Sequence, residues 1–227
     1  MPELIKCRGD ENKYKLKELY YLTPLTHLKL LNNQERTCCC GDTINGKNND
    51  SEYYIFSCKS KNKTNPEEFN FDAGMTCANK LIEIFNLNTL PLYNPLSTEN
   101  DENNYNNSIE NNKNFKNSTH KVVWDPLNKE LYRAVNILIL AWNIKDIKKY
   151  KIIEDILSFI SNHPNIKTKD WTIKAINNLI GKDKKERTTS QMLKDLSVNA
   201  KNIKFPELTK KINEIITTED NLKNNFI

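Results

Sequence analysis

Three consecutive cysteines, Cys38, Cys39 and Cys40, followed at once by Gly41, constrain this chain more than any other feature. Cys58 and Cys77 follow within the next forty residues, so five of the six cysteines crowd one N-terminal stretch, with Cys7 ahead of them. Clustered thiols in a reducing compartment are metal ligands more often than disulfides. The start of the chain breaks into charge almost immediately, with no apolar core of a secretory leader. The most apolar run, 134–144, is interrupted by Asn136 and Asn143 and is too short to cross a bilayer. The expectation is a soluble, cytoplasmic protein with zinc bound through cysteine.

A zinc site needs four ligands, usually offered by two short chain elements. Residues two apart on a strand share a face, so Cys38 and Cys40 are expected to converge, with Cys39 pointing away as a small buried apolar group. Gly41 can take positive φ, which lets the chain turn and aim amide N–H groups at sulfur. Cys58 ends the next predicted strand. Cys77 falls in the first turn of a predicted helix, where the macrodipole favours a thiolate. The predicted ligand set is therefore Cys38, Cys40, Cys58 and Cys77, with Cys7 or His27 as substitutes for one member.

The architecture expected is α+β: a small, zinc-stabilised, β-rich N-terminal module followed by an all-α helical domain. The division is residues 1–96 for the cysteine-rich module with its N-terminal helices, 97–120 for an Asn-rich linker, and 121–227 for the helical domain. The linker assignment rests on composition. That stretch has few sizeable apolar groups to offset an ordering cost of roughly 1–2 kcal/mol per residue. Residues 16–33 read as helix in two pieces, with Thr23-Pro24 as cap and restart. Glu35 to Cys40, Glu52 to Cys58 and Phe69 to Phe71 read as strands, and Thr76 as the cap of a helix to about Phe85. Leu90 to Leu96 is apolar, and its prolines keep it extended. After the linker the period becomes 3.6. Asp125-Pro126 opens a helix to about Ile144 that is apolar on nearly every side, and Ile152 to Ile160 forms a second. A third, from Trp171, is closed by Gly181 in the usual terminal position, and Thr189–Leu196 and Pro206–Ile216 follow.

Charge divides unevenly. Residues 1–120 hold 14 Lys/Arg against 16 Asp/Glu, whereas 121–227 hold 20 against 13, so the whole net charge of +5 comes from the second half. Two basic clusters there, Lys145, Lys148, Lys149 and Lys151, then Lys182, Lys184, Lys185 and Arg187, sit between predicted helices where amines can meet phosphates. The functional expectation is a zinc-stabilised nucleic-acid-binding protein that uses Lys145, Lys148, Lys149, Lys182, Lys184, Lys185 and Arg187. The alternatives are a protein-interaction adaptor docking through the zinc module and the 90–96 segment, and an enzyme of unrecognised motif. The chain shows no His-Glu-x-x-His and no Gly-x-Gly loop among its five glycines. A thiol nucleophile at Cys77, with His120 or His163 as base and Asp125 as orienter, is permitted only by chain order.

Overall fold

A computed structural model describes residues 7–31, 34–46, 51–64, 66–95, 123–196, 204–217 and 222–227. The expected linker, 97–120, lies outside them. The protein is mixed α+β, with a sheet region and seven described helices. It divides into two compact units, one of Met1–Tyr93 with Lys145–Glu154, the other of Asn94–Ile144 with Asp155–Ile227.

The first unit is built on a four-stranded sheet. Helix α1 (Asp10–Leu19) leads directly into β1 (Tyr20–Lys29). A hairpin of β2 (Glu35–Thr37) and β3 (Thr43–Asn45) follows, then β4 (Glu52–Ser60), β5 (Glu68–Gly74), helix α2 (Met75–Phe85) and the short β6 (Leu92–Tyr93). The order across the sheet is β5-β4-β1-β6, antiparallel except for the β1–β6 pair.

The helical restart expected at Thr23-Pro24 does not occur, because that segment is the middle of β1. Its Tyr, Leu and Thr residues suit a half-buried pleat, and Leu22, Leu25 and Leu28 are buried. Proline lacks a ladder donor, and the register with β4 shifts between Pro24 and Thr26. Alternation along β4 places Tyr54, Phe56 and Cys58 on one face and Tyr53, Ile55 and Ser57 on the other. The first face carries a stacked row: His27 on Tyr54 at 4.2 Å, Tyr54 on Phe56 and Phe56 on Phe71, both at 5.6 Å. Within the segment expected to be extended, Leu92–Tyr93 form β6, with Tyr93 buried beside Leu28. Tyr54 Oη lies 3.3 Å from both the N–H and the carbonyl of Leu90. A 3-10 turn (Ile147–Lys149) belongs to this unit too. Lys148 Nζ donates to the Glu68 carbonyl, and Ser57 Oγ donates to buried Glu154 at 3.0 Å.

The second unit is helical. Helix α3 (Pro126–Ala141) starts on the Asp125 carboxylate, which accepts from the N–H groups of Leu127 and Asn128. Every residue from Leu131 to Leu140 is buried, so this helix is central, packed by α5 (Asp170–Ile180), α6 (Thr189–Leu196) and α7 (Pro206–Ile216). Helix α4 (Lys151–Asn162) begins in the first unit and ends in the second.

Buried polar side chains clip the connections. Asn128 donates to the carbonyls of Pro164 and Ile166 and accepts from Thr168. Glu130 receives the N–H groups of Glu207 and Leu208, capping α7. Gly181 ends α5 at φ −60°, in the right-handed rather than the left-handed region, so its place there has no conformational cause.

The loop after α5 closes on Asp183. Its carboxylate takes Trp142 Nε1 at 2.8 Å, Arg187 Nη2 and Nε at 2.9 Å each, and the Lys185 and Arg187 backbone N–H groups. The Arg187 guanidinium, ahead of the other donors, holds this carboxyl below the ordinary carboxylate range. Asp183→Ala strands a mostly buried guanidinium and an indole N–H, so we expect a loss of about 3 kcal/mol in denaturant unfolding. The stabilisation is full above the ordinary carboxylate pKa and is lost as pH falls toward the depressed native value. An acid-unfolding midpoint unchanged by the substitution would refute this role.

Candidate metal centre

Strand β2 ends at Thr37, and the next residues form a turn, not further strand. Cys38 makes an isolated parallel bridge with Asp72 of β5, and the Cys39 N–H donates to the Asp72 carbonyl at 2.8 Å. The Cys38 N–H meets the Asp42 carbonyl, and the Gly41 N–H returns to the Cys38 carbonyl, both at 2.8 Å. Gly41 closes this turn at φ 92°, a region open to glycine. Because the triplet turns, strand alternation does not apply. Cys39 joins Cys38 and does not point away.

The Sγ atoms of Cys38, Cys39 and Cys77 lie within 4.8 Å of one another, and all three residues are buried. This triad can hold a metal ion. Cys77 reaches it from the first turn of α2, where the helix dipole favours negative sulfur. Gly74, immediately before that helix, donates its N–H to Cys38 Sγ at 3.3 Å.

The other cysteines divide into near and distant. Cys40 is half-buried, its thiol 3.3 Å from an Asp42 carboxylate oxygen, and it lies outside the triad. Cys7 is fully buried, its N–H bonded to the Cys39 carbonyl at 3.1 Å. Cys58 belongs to the apolar sheet, opposite Leu22 and Phe69, and is outside the triad. His27 is occupied at the sheet, with Nδ1 3.3 Å from the Leu90 carbonyl and Nε2 3.4 Å from Glu52.

Protons are shared unequally. The neighbouring Cys39 thiol above all pulls Cys38 down, helped against burial by the Cys40 and Gly74 N–H groups. The same thiol lowers Cys7, with the Lys13 charge assisting, and Cys39 itself is pushed up. Burial raises Cys58 and Cys77, and lifts Cys40 to about 12. Two buried cations attend the site. Lys13, only 6% exposed, acts by charge on Cys7 and Cys77. Arg36 lies 5.5 Å over the Tyr53 ring and 3.7 Å from Asp72. Burial raises the Asp72 carboxyl to about 6, and the Cys38 charge adds to the rise.

The basic residues fall in both units. In the first, Lys145 and Lys149 are exposed, while Lys148 is tied to β5. In the second, Lys182, Lys184 and Lys185 are exposed, whereas Arg187 is held by Asp183 and, at 2.9 Å, by Asp195. Of the thiol-nucleophile set, Asp125 spends its carboxylate on the α3 cap and His163 rests on Phe159 at 5.4 Å. His120 lies outside the described residues. Among the described residues, no helix is long and apolar enough to cross a membrane.

Fold and site together define an α+β protein with a buried cysteine centre. A family model described as "Uncharacterised conserved protein UCP028583" matches residues 5–213, and the chain belongs to that family. No curated protein and no solved structure gives a significant match.

If Cys39 lowers Cys38, metal-free protein retains thiolate absorbance at about pH 6, where an ordinary thiol is protonated. Cys39→Ala should abolish that absorbance by removing the thiol that lowers Cys38, and Cys58→Ala should leave it intact. Equal titration of all three proteins would contradict the proton arrangement.

Proposed function

We propose that the protein is a structural zinc protein in which Cys38, Cys39, Cys77 and Cys40 hold one ion. The observation behind this reading is the convergence of three buried sulfurs within 4.8 Å. Tetrahedral zinc with Zn–S near 2.3 Å places its sulfurs about 3.8 Å apart, so the triad itself needs only a small contraction, and Cys40 closes on it from the turn. Cys40 is the fourth ligand in this reading because it is the remaining thiol of the 38–41 turn, adjacent to Cys39 and half-buried. Cys7 stays outside as a partner of Cys39. A zinc ion on four thiolates is anionic, and the buried Lys13 amine suits such a charge. Four protein ligands leave no open position for substrate, which favours structure over catalysis. The centre joins the 38–41 turn to the β5–α2 junction.

Structural zinc contributes on the order of 10–16 kcal/mol in small fingers, comparable to a whole domain's stability of roughly 5–15 kcal/mol. Metal analysis of purified protein should therefore give about one zinc per chain. Cys39→Ala should lose it and Cys58→Ala should keep it. A strong chelator should unfold the first unit and leave the helical second unit largely intact. Zinc-free native protein, or a Cys39→Ala variant that retains its metal, would end the assignment.

A second reading, nucleic-acid binding, is favoured by the loop after α5. Asp183 clamps its backbone while Lys182, Lys184 and Lys185 stand exposed around it, so the amines are presented by an ordered loop. Each lost phosphate contact lowers the log–log salt slope by about 0.9, so Lys184→Gln with Lys185→Gln should reduce it by about 2. No binding of DNA or RNA at low salt would exclude this reading.

A further inference from the structure

In the second unit, residues 222–227 lie beside α5 and the start of α6. Asn177 of α5, fully buried, addresses the backbone of this segment in both directions. Its Nδ2 donates to the Lys223 carbonyl at 2.7 Å, and its Oδ1 accepts the Asn225 N–H at 2.8 Å. The first residues of α6 continue the pattern. Thr189 N–H donates to the Asn225 carbonyl at 3.0 Å, with its hydroxyl 3.5 Å away, and Ser190 N–H and Oγ donate to the Phe226 carbonyl at 3.3 and 3.1 Å. Two side chains of the segment engage the groove. Asn225 Nδ2 donates to the Asn177 carbonyl at 3.0 Å, and Phe226 is completely buried.

Gly181 completes the groove. A Cβ there would lie 2.9 Å from Asn225 Nδ2, and its φ gives no other reason for glycine. The missing side chain provides the passage that Asn225 fills.

We propose that this groove is a peptide-recognition site for segments bearing an Asn-Phe pair, and that residues 222–227 are its occupant in cis, exchangeable with a partner's segment of the same chemistry. Most of its bonds go to peptide groups, which any chain offers, and a single aromatic side chain serves as the anchor. Main-chain hydrogen bonds for affinity and a buried side chain for specificity are the elements of peptide recognition. Asn177, Gly181, Thr189 and Ser190 lie inside the 5–213 span that defines the family, and the occupant lies beyond it. Tethering gives the cis segment an effective concentration of about millimolar, so a partner enters only when the cis anchor is released or outcompeted.

The test uses full-length protein and a labelled peptide of sequence Leu-Lys-Asn-Asn-Phe-Ile. The expected result is saturable binding to Phe226→Ala protein, at least about tenfold weaker binding to wild type, whose groove is filled, and no binding of a peptide with Phe replaced by Ala. Adding Gly181→Ala to the Phe226→Ala protein should weaken binding by about tenfold or more by closing the Asn225 passage. A folded Phe226→Ala protein that ignores the peptide overturns the proposal. If that variant does not fold, hydrogen exchange on wild type decides. Release of the segment exposes the Thr189 and Ser190 amides, which should then exchange at least about tenfold faster than those of Ile176 and Ile180. Equal protection would make the segment an integral part of the core and defeat the proposal.

Discussion

The sheet unit depends on how the backbone passes Cys38. Its N–H is taken by Asp42, its carbonyl by Gly41, and its sulfur receives the Gly74 N–H that would otherwise be one of the orphan donors near the start of α2. One residue thus joins the β2–β3 hairpin to the junction of β5 and α2. The turn at Gly41 is what allows adjacent cysteines to face one centre. A straight strand would send alternate sulfurs to opposite sides. The chain between Cys38 and Cys77 contains β3, β4 and β5, so the sulfurs meet only when those strands have paired. Assembly of the sulfur triad and formation of the sheet are therefore one event.

The helical unit solves a different problem. Its helices are short, α6 having eight residues, and isolated helices of that length are marginal in water. Buried polar side chains supply what length cannot. Asn128 fixes the 164–168 connection, Glu130 caps α7, Asp183 folds the loop after α5, and Asn177 holds residues 223–225. Each works on peptide groups that a loop would otherwise leave to water. Each also costs desolvation that only a nearly complete set of partners offsets.

Much of this was legible in the residues. The 3.6 period marked α3 to α7, with α6 and α7 placed at their observed ends, because each has a clean apolar stripe and a Thr or Pro at its start. Alternation and aromatic content marked β4 and β5. Strand β1 was not legible, since Thr-Pro reads equally as a helix cap and as a proline at a strand irregularity, and only pairing with β4 separates the two. The place of Cys39 beside Cys38 was hidden because β2 ends one residue before the triplet. Gly41 was the one local sign of that turn. The Trp142 partner of Asp183 was also beyond reach. Trp142 and Asp183 are 41 residues apart, and nothing local links them. Gly181 looked like a helix terminator, and only its neighbour Asn225 reveals a steric reason for it.

A sheet of four strands leaves two edges open to other chains, a standing invitation to aggregation. Here both are blunted. One is β6, only two residues long, which offers almost no ladder to a newcomer. The other is β5, where the Lys148 amine takes the Glu68 carbonyl and the Asn70 side chain, with its amide oriented to donate to Glu154, accepts the Lys148 N–H at 3.1 Å. The 145–154 segment thereby acts as a selvedge, finishing the border of the fabric so that it does not pick up further threads.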